Sequence, residues 1–395
     1  MSERARLLLA ALAAAWLAVA PAWAAPLGNA VTIGYLQLAD DPRYDERTGP
    51  GDTPITPGRP VAGAEMGVNE INLASAASGR SFTLAKAEAE TAAALAARID
   101  DLVKSGAHWV LVDAPDAAMA DLAKAERDRD LLLLNISARG DGLRGPACQK
   151  NLANVIPGRG MLADALAQLL VARKWPDVLI LQGPLEEDKA NAAAFEHAAK
   201  RFGLKITAKR DFLLSNDPRE REKDNVALLT GDASYDVVFV ADAEGEFARD
   251  LPYRTIRPRP VIGATGLVPT AWSWSWDRYG APQVNHRFEK ANERHMEAAD
   301  WAAWVAVRAI GDAVRNSGAK DMAEVDAYLL GPNLSLDGAK GPPLSFRAWD
   351  HQLRQPILLA TADAVIAEAP LPGFLHATNV LDTLGADQPE TTCHF

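Results

Sequence analysis

The sequence predicts an α/β protein of two lobes with mostly parallel sheets, joined by a hinge of several crossovers. Three observations point there. Short apolar runs alternate with longer segments of helical period, which is the pattern of βαβ units. Between Ala138 and Arg159 this alternation lapses into Gly, Pro and polar residues and then restarts, as a crossover between two similar units requires. A length of 395 residues with 48% hydrophobic content exceeds the usual size of one domain and can fill two cores.

The elements follow in order. Residues 1–25 are set apart as a signal peptide: Arg4 and Arg6 precede an unbroken apolar run from Leu7 to Ala20, and Pro21-Ala22-Trp23-Ala24 ends in the small-x-small pattern of a cleavage site. That run is shorter than the ~20 residues needed to span a bilayer, so an exported chain is expected, in an oxidising compartment. A first strand covers 31–36. The Pro- and Gly-rich stretch 37–59 after it is far longer than an ordinary βα loop and marks either function or a lid. A helix over 59–73, a strand over 82–86 and a helix over 91–104 come next; in that helix Leu95, Ile99, Leu102 and Val103 form one apolar stripe. Strand 109–112, helix 116–127 and strand 131–136 close the first unit.

The second unit has helix 160–173, strand 178–182, helix 189–202, strand 205–209, a helix near 219–229, and strands 237–241 and 261–264. Trp272-Ser273-Trp274-Ser275-Trp276 then breaks the rhythm. Helices over 298–315 and 322–330 precede an extended tail over 346–369. The division expected is lobe 1 from 26–140 plus 270–345, and lobe 2 from 141–269 plus 346–395.

Charge narrows the partners. Lys and Arg total 41 against 52 Asp and Glu, a net charge of −11 that repels phosphate backbones and anionic lipid surfaces. Nucleic acid and membrane-surface partners are therefore not expected. The chain has two cysteines, Cys148 and Cys393, too few for a disulfide-rich module or an all-cysteine metal site. There is no G-x-S-x-G elbow, H-E-x-x-H or phosphate loop, and the seven histidines are scattered. No cofactor and no enzyme activity are expected, although an acid and a base assembled from separate loops would escape a sequence reading.

The stretch GRPVAGAEMGVNEINLASAASGRSF, residues 58–82, resembles the first helix of type I periplasmic solute-binding proteins, the branched-chain amino-acid class of ABC importers. Gly63, Ala64, Ile71, Asn72 and Gly79 carry the likeness, with Gly67 at a small-residue position. The resemblance implies two Rossmann-like lobes closing on a small ligand, action as a monomer, and delivery to an ABC permease in the inner membrane. The run 35–47 (YLQLADDPRYDER) and the late Cys393 look like the subgroup associated with pyrroloquinoline-quinone (PQQ)-dependent alcohol dehydrogenase systems, which implies a ligand linked to alcohol oxidation. Alternatives are a sensor or accessory factor of such a quinoprotein system, or a periplasmic enzyme on the same scaffold.

In open α/β sheets ligands bind beyond the carboxyl ends of the strands. That rule selects Gln37, Asp40 and Tyr44 after the first strand, Glu88 after the second, Asp113 and Asp116 after the third, and Asn135, Ser137 and Arg139 after the fourth. From the second unit it selects Gln182, Asp242 and the Trp272, Trp274, Trp276 run, whose alternation would turn three indoles to one side as an apolar wall; packing of these rings between the lobes or under the hinge is the competing reading. Amino-acid binders of the resembled class carry hydroxyls where Asp113 and Asp116 stand, so a standard amino-acid ligand is disfavoured; Ser137 and Arg139 remain able to receive an anionic group. Asp116 also reads as a helix N-cap. The acidic loop Asp40, Asp41, Asp45, Glu46 and Asp52 lacks a regular calcium spacing and reads as a solvated loop. In the resembled fold the C-terminus returns near the hinge, so Cys148 and Cys393 can pair; two free thiols or a Cys393-His394 metal contact are the competing readings.

Overall fold

The computed structural model describes residues 27–48, 54–215, 217–220 and 222–395. The signal-peptide stretch 1–25 and Asp52 lie outside the described residues. No helix among the described residues is long and apolar enough to cross a membrane.

The first lobe is a five-stranded parallel sheet of β1 (Ala30–Leu38), β2 (Ser81–Ala89), β3 (Ala107–Asp113), β4 (Leu132–Asn135) and β5 (Leu152–Asn154), in the order β2-β1-β3-β4-β5. Two helices, α2 (Leu95–Lys104) and α3 (Asp116–Ala125), cover one face. The other face carries α1 (Val61–Ser75) together with α7 (Ala281–Asn292), α8 (Ala298–Asn316) and α9 (Met322–Leu329) from the later chain. Strand β5 lies within the stretch read from sequence as crossover, so the first sheet runs on to residue 154, beyond the boundary expected at 140. Its three residues are too few to show a period. Helix α7 also falls where no element is expected, its apolar positions being few and its N-terminus set by Gly280-Ala281-Pro282.

The residues behind the family resemblance have local physical tasks. A Cβ on Gly63 would stand 2.0 Å from the Asp300 carbonyl oxygen, and one on Gly67 2.9 Å from Val307 Cβ, so these glycines let α1 lie directly on α8. The carboxamide of Asn72 accepts from Phe82 N at 2.7 Å and donates to Phe82 O at 2.9 Å, fastening the end of α1 to β2. Gly79 takes φ 69° in the turn between them, a left-handed conformation that favours glycine.

The second lobe has the parallel order β9-β8-β6-β7, from β6 (Asp177–Gln182), β7 (Lys205–Asp211), β8 (Val237–Ala241) and β9 (Val261–Gly263). Helices α4 (Arg159–Arg173) and α5 (Glu186–Arg201) pack on one face, and α6 (Val226–Gly231) on the other. An antiparallel trio, β10 (Val268–Thr270), β11 (Ile357–Ala360) and β12 (Val365–Ala369), completes it and accounts for the extended tail.

The hinge is tied by buried polar side chains. Arg144 Nε donates to Gln352 Oε1 at 2.7 Å and its Nη2 to Ile156 O at 2.6 Å, while Gln355 Nε2 donates to Val155 O at 2.7 Å. Hydrogen bonding satisfies these groups away from water, so the crossing strands are held in one register. Cys148 and Cys393 are joined, with Sγ atoms 2.06 Å apart, which fixes the C-terminal tail beside the hinge.

Candidate functional site

The carboxyl end of β3 organises the first lobe's side of the cleft. Asp113 is fully buried; its Oδ1 accepts from Arg43 Nη2 and Tyr44 OH, each at 2.9 Å, and Arg59 Nη1 lies 3.9 Å from its Oδ2. Arg43 also pairs with Asp41, and Arg59 stacks over the Tyr44 ring at 4.2 Å. Burial works against charge on Arg43, but the Asp41 hydrogen bond and the Asp113 charge outweigh it and hold the guanidinium above its ordinary pKa. Burial, and then the Asp113 charge, push the Tyr44 phenol up, so it stays a donor. The long loop is thus anchored to the sheet by ion pairs. Tyr44 is held as part of that anchor.

From this anchored loop Arg47 reaches across to the second lobe, donating to Ala243 O at 3.3 Å, with its other arm on Arg43 O at 3.2 Å. A second crossing runs from Arg159, at the start of α4, to Asp116, at the start of α3. Asp116 is the first helical residue, its cap position being taken by Pro115. Its Oδ1 accepts from Gly140 N at 2.9 Å. Burial opposes its ionisation, but Arg159 outweighs that and keeps the carboxyl below its ordinary pKa. Asp113 and Asp116 thus each have an arginine partner, Arg43 and Arg159.

Between the crossings lies a cavity of about 350 Å³ lined from both lobes. Arg47 and Arg139 come from the first. The second contributes Leu162, Ala163 and Leu166 on one face of α4, Asn191 and Glu187 on α5, Phe239 and Asp242 at the end of β8, and Val268 and Pro269 on β10. One wall is apolar, and the cations stand opposite. Asp242 is spent on its own loop, accepting from Gly245 N at 3.1 Å and Ala248 N at 2.8 Å. Glu187 lies 3.4 Å from Arg159 Nη2. The Arg139 guanidinium has no hydrogen-bond or ion-pair partner among the described residues, and burial draws its pKa below the ordinary arginine value.

Of the residues selected from sequence, Arg139 and Asp242 line this cavity. Asn135 is buried and committed to the β4 turn, donating to Ala138 O and Asn154 Oδ1 and accepting from Ala138 N. Ser137 Oγ sits 3.5 Å from Ala114 O. Gln37 and Glu88, partners in the β1–β2 register, bond each other at 2.6 Å, and Gln182 bonds Asp211 at 3.1 Å. Asp40 is exposed beside a separate 300 Å³ hollow with Asp41, Tyr44 and Arg59.

The tryptophan run does not form one wall. Residues 272–276 form no strand, so the alternation has no sheet to act on. Trp272 and Trp276, 2% and 4% exposed, belong to the first-lobe core, their Nε1 atoms donating to Asn285 Oδ1 and Ala339 O. Trp274 is 41% exposed and stacks on His295 at 4.4 Å. Arg47, Arg159 and the apolar face of α4 were not singled out from sequence. The only signal for them was Arg159 beside a helix start, and an arginine in a loop too long to be a plain connector.

A larger hollow of about 780 Å³ lies beside the hinge, between α4, α5 and the tail. Its charges are mutually satisfied: Asp164 accepts from Arg201 Nη1 at 2.8 Å and from Gly385 N at 2.7 Å, and Arg347 pairs with Asp382. The larger hollow too takes Asp116 and residues within 140–146 from the first-lobe side, so what favours the smaller cavity is its apolar wall and its cation without a partner among the described residues. No group of three or more His, Cys, Asp or Glu able to hold a metal occurs among the described residues.

Two parallel-sheet lobes with a cavity between them have many structural counterparts. A branched-chain amino acid ABC transporter periplasmic ligand-binding protein from Burkholderia xenovorans aligns over 86% of this chain and 95% of its own, with TM-score 0.68 at 14% identity. The fold is that of type I periplasmic binding proteins. An ABC transporter substrate-binding protein from Desulfitobacterium hafniense in complex with Leu aligns over 85% of this chain and 99% of its own, with TM-score 0.64 at 18% identity. A solute-binding protein of an ABC transporter from R. palustris, in complex with benzoate, aligns over 93% of this chain and 100% of its own, with TM-score 0.64 at 13% identity. No protein-family model and no curated protein sequence matches the chain. At such identities the periplasmic binding protein fold is what the likeness carries.

Proposed function

We propose that this protein is the periplasmic substrate-binding component of an ABC transporter, exported by cleavage of residues 1–25, acting as a monomer without turnover, and closing two lobes on a small organic solute for an inner-membrane permease. The observation that carries this reading is the cavity between lobes, built by Arg47 and Arg139 on one side and Leu162, Phe239 and Asp242 on the other. Its 350 Å³ is at the small end of the usual range for ligand pockets. The contacts from Arg47 to Ala243 O and from Arg159 to Asp116 are of the kind that exist only with the lobes together, so a ligand touching both lobes favours the closed population. The leucine and benzoate carried by similar structures support a solute of that size. The lobes proposed are 26–140 with 270–345 and 141–269 with 346–395, amended so that residues 141–154 side with the first. The alcohol-oxidation link rests on the likeness of residues 35–47; organic acids are the end products of such oxidation, and a cationic cleft is compatible with them.

The test is a thermal-shift screen with amino acids, carboxylic acids, alcohols, aldehydes, pyrroloquinoline quinone and calcium, followed by small-angle scattering with the best compound. A bound solute raises stability by mass action and should reduce the radius of gyration. Stabilisation without compaction would count against lobe closure, and turnover of any compound would overturn the transport reading.

A further inference from the structure

We infer that the solute is a small carboxylate with an apolar body and no amine, and that Arg139 is the residue that grips its anionic end. This deepens the reading of the interlobe cavity as the solute site and rests on it. The argument begins with the charge ledger of the lining. Three guanidiniums face the cavity, Arg47, Arg139 and Arg159. Arg159 is committed to Asp116, to Asn191 Oδ1 at 3.0 Å and to Glu187. Arg47 is held by two backbone carbonyls. Arg139 alone of the three has no hydrogen-bond or ion-pair partner among the described residues; the fields of Glu187 and Asp116 favour its charge from a distance, and those of Arg159 and Arg43 oppose it.

A partly buried cation without a partner is unfavourable, and an incoming anion removes that penalty. The planar fork of a guanidinium matches the two oxygens of a carboxylate. A single unpaired fork calls for a single anionic end.

The anions of the lining argue against an amine. Both oxygens of Asp242 accept from backbone N–H groups, and Glu187 faces Arg159. The remaining lining carboxylate, Glu244, is exposed to solvent. An α-amino acid brings an ammonium as well as a carboxylate, and burying that ammonium here without a buried counter-charge beside it would be penalised. The rest of the ligand meets Leu162, Leu166, Phe239, Val268 and Pro269, which offer carbon and no side-chain donor. An aliphatic or aromatic monoacid fits this division of charge and grease.

Isothermal titration of the intact protein with benzoate, 4-methylpentanoate, leucine, succinate and benzyl alcohol tests the assignment. The two monoacids should bind, with leucine, succinate and the alcohol at least roughly 10-fold weaker, the range expected for losing or misplacing one charge-assisted interaction. Arg139→Met should weaken the better monoacid roughly 10- to 100-fold, and Arg139→Lys, which keeps the charge but loses the fork, by less. Circular dichroism establishes that each variant folds, and the lysine variant decides the matter if the methionine variant does not. Equal monoacid affinity in the folded variants, or leucine binding as tightly as 4-methylpentanoate, would overturn the inference. Binding of leucine or benzyl alcohol with neither acid bound would overturn the acid assignment while leaving the solute-binding reading intact; silence from every compound in both this series and the thermal screen would remove that reading as well.

Discussion

Replacing Trp272 with alanine should be among the most destabilising single changes in the first lobe, whereas the same change at Trp274, two residues on, should be mild. Trp272 is 2% exposed, stacks on Trp301 with ring centroids 6.1 Å apart, and donates to Asn285 Oδ1 at 2.8 Å. Removing a buried indole costs about 3–5 kcal/mol through lost transfer free energy and the residual cavity. The orphaned Asn285 oxygen adds about 1 kcal/mol, since Asn285 is slightly exposed and water can reach it in part. Trp274 is 41% exposed and loses mainly its stack on His295, about 1 kcal/mol or less. Trp272→Phe separates the two contributions by keeping most of the area and deleting the N–H. The assay is urea unfolding followed by far-UV circular dichroism, comparing midpoints at constant m-value. Equal losses for Trp272→Ala and Trp274→Ala would refute the placement of Trp272 in the core. Because the Trp274 ring lies outside the cavity lining, benzoate affinity should also be unchanged in Trp274→Ala.

Three further outcomes follow from the same reasoning. Closing 245 residues between Cys148 and Cys393 corresponds to about 5 kcal/mol of chain entropy removed from the unfolded state, so Cys148→Ser or reduction should lower the urea midpoint clearly; a change under about 1 kcal/mol would contradict this. Burial, against the pull of Arg201, raises the Asp164 carboxyl to about 7, so the folded chain retains a proton that the unfolded chain releases near pH 4. The stability from that group is complete below pH 4 and is lost as pH rises toward 7; Asp164→Asn should flatten this fall in a series of melting temperatures from pH 4 to 8, and an unchanged slope would argue that the group is ionised throughout. Asp113→Ala leaves Arg43 and Arg59 without their shared counter-ion and should cost roughly 3 kcal/mol, with solute affinity falling too because the loop bearing Arg47 loses its anchor; wild-type affinity in a folded variant would show that Arg47 is placed by other means.

Periodicity made the lobes legible because helices such as α2 keep a full apolar stripe, with Leu95, Ile99 and Leu102 all buried, and because β3 and β8 are continuous apolar runs buried on both faces. Short elements escaped it, β5 and β10 among them, since three residues carry no period. The site was legible only in part. The rule of carboxyl strand ends finds the right rim, and Arg139 and Asp242 on it, but says nothing about which polar groups are already spent. Asn135 looked available and is consumed by its own turn, and Asp113 is consumed by Arg43 and Tyr44, partners about 70 residues earlier in the chain. Pairing at that separation is a tertiary fact. The tryptophan alternation failed for a different reason: period two has directional meaning only where the backbone is a strand, and at 272–276 it is a turn.

The bridge from Cys148 to Cys393 turns everything between them into a covalent ring. Inside that ring lie the whole second-lobe sheet and also α7, α8 and α9, which cover the first; the first four strands of the first lobe hang outside it as a tail. A protease that cuts the exposed connection between β7 and α6, around Leu214, would therefore release nothing: both halves stay attached, the nicked molecule keeps its mass on a non-reducing gel, and two fragments separate only after reduction. Such a ring converts a severed backbone into a wound that the fold can hold closed.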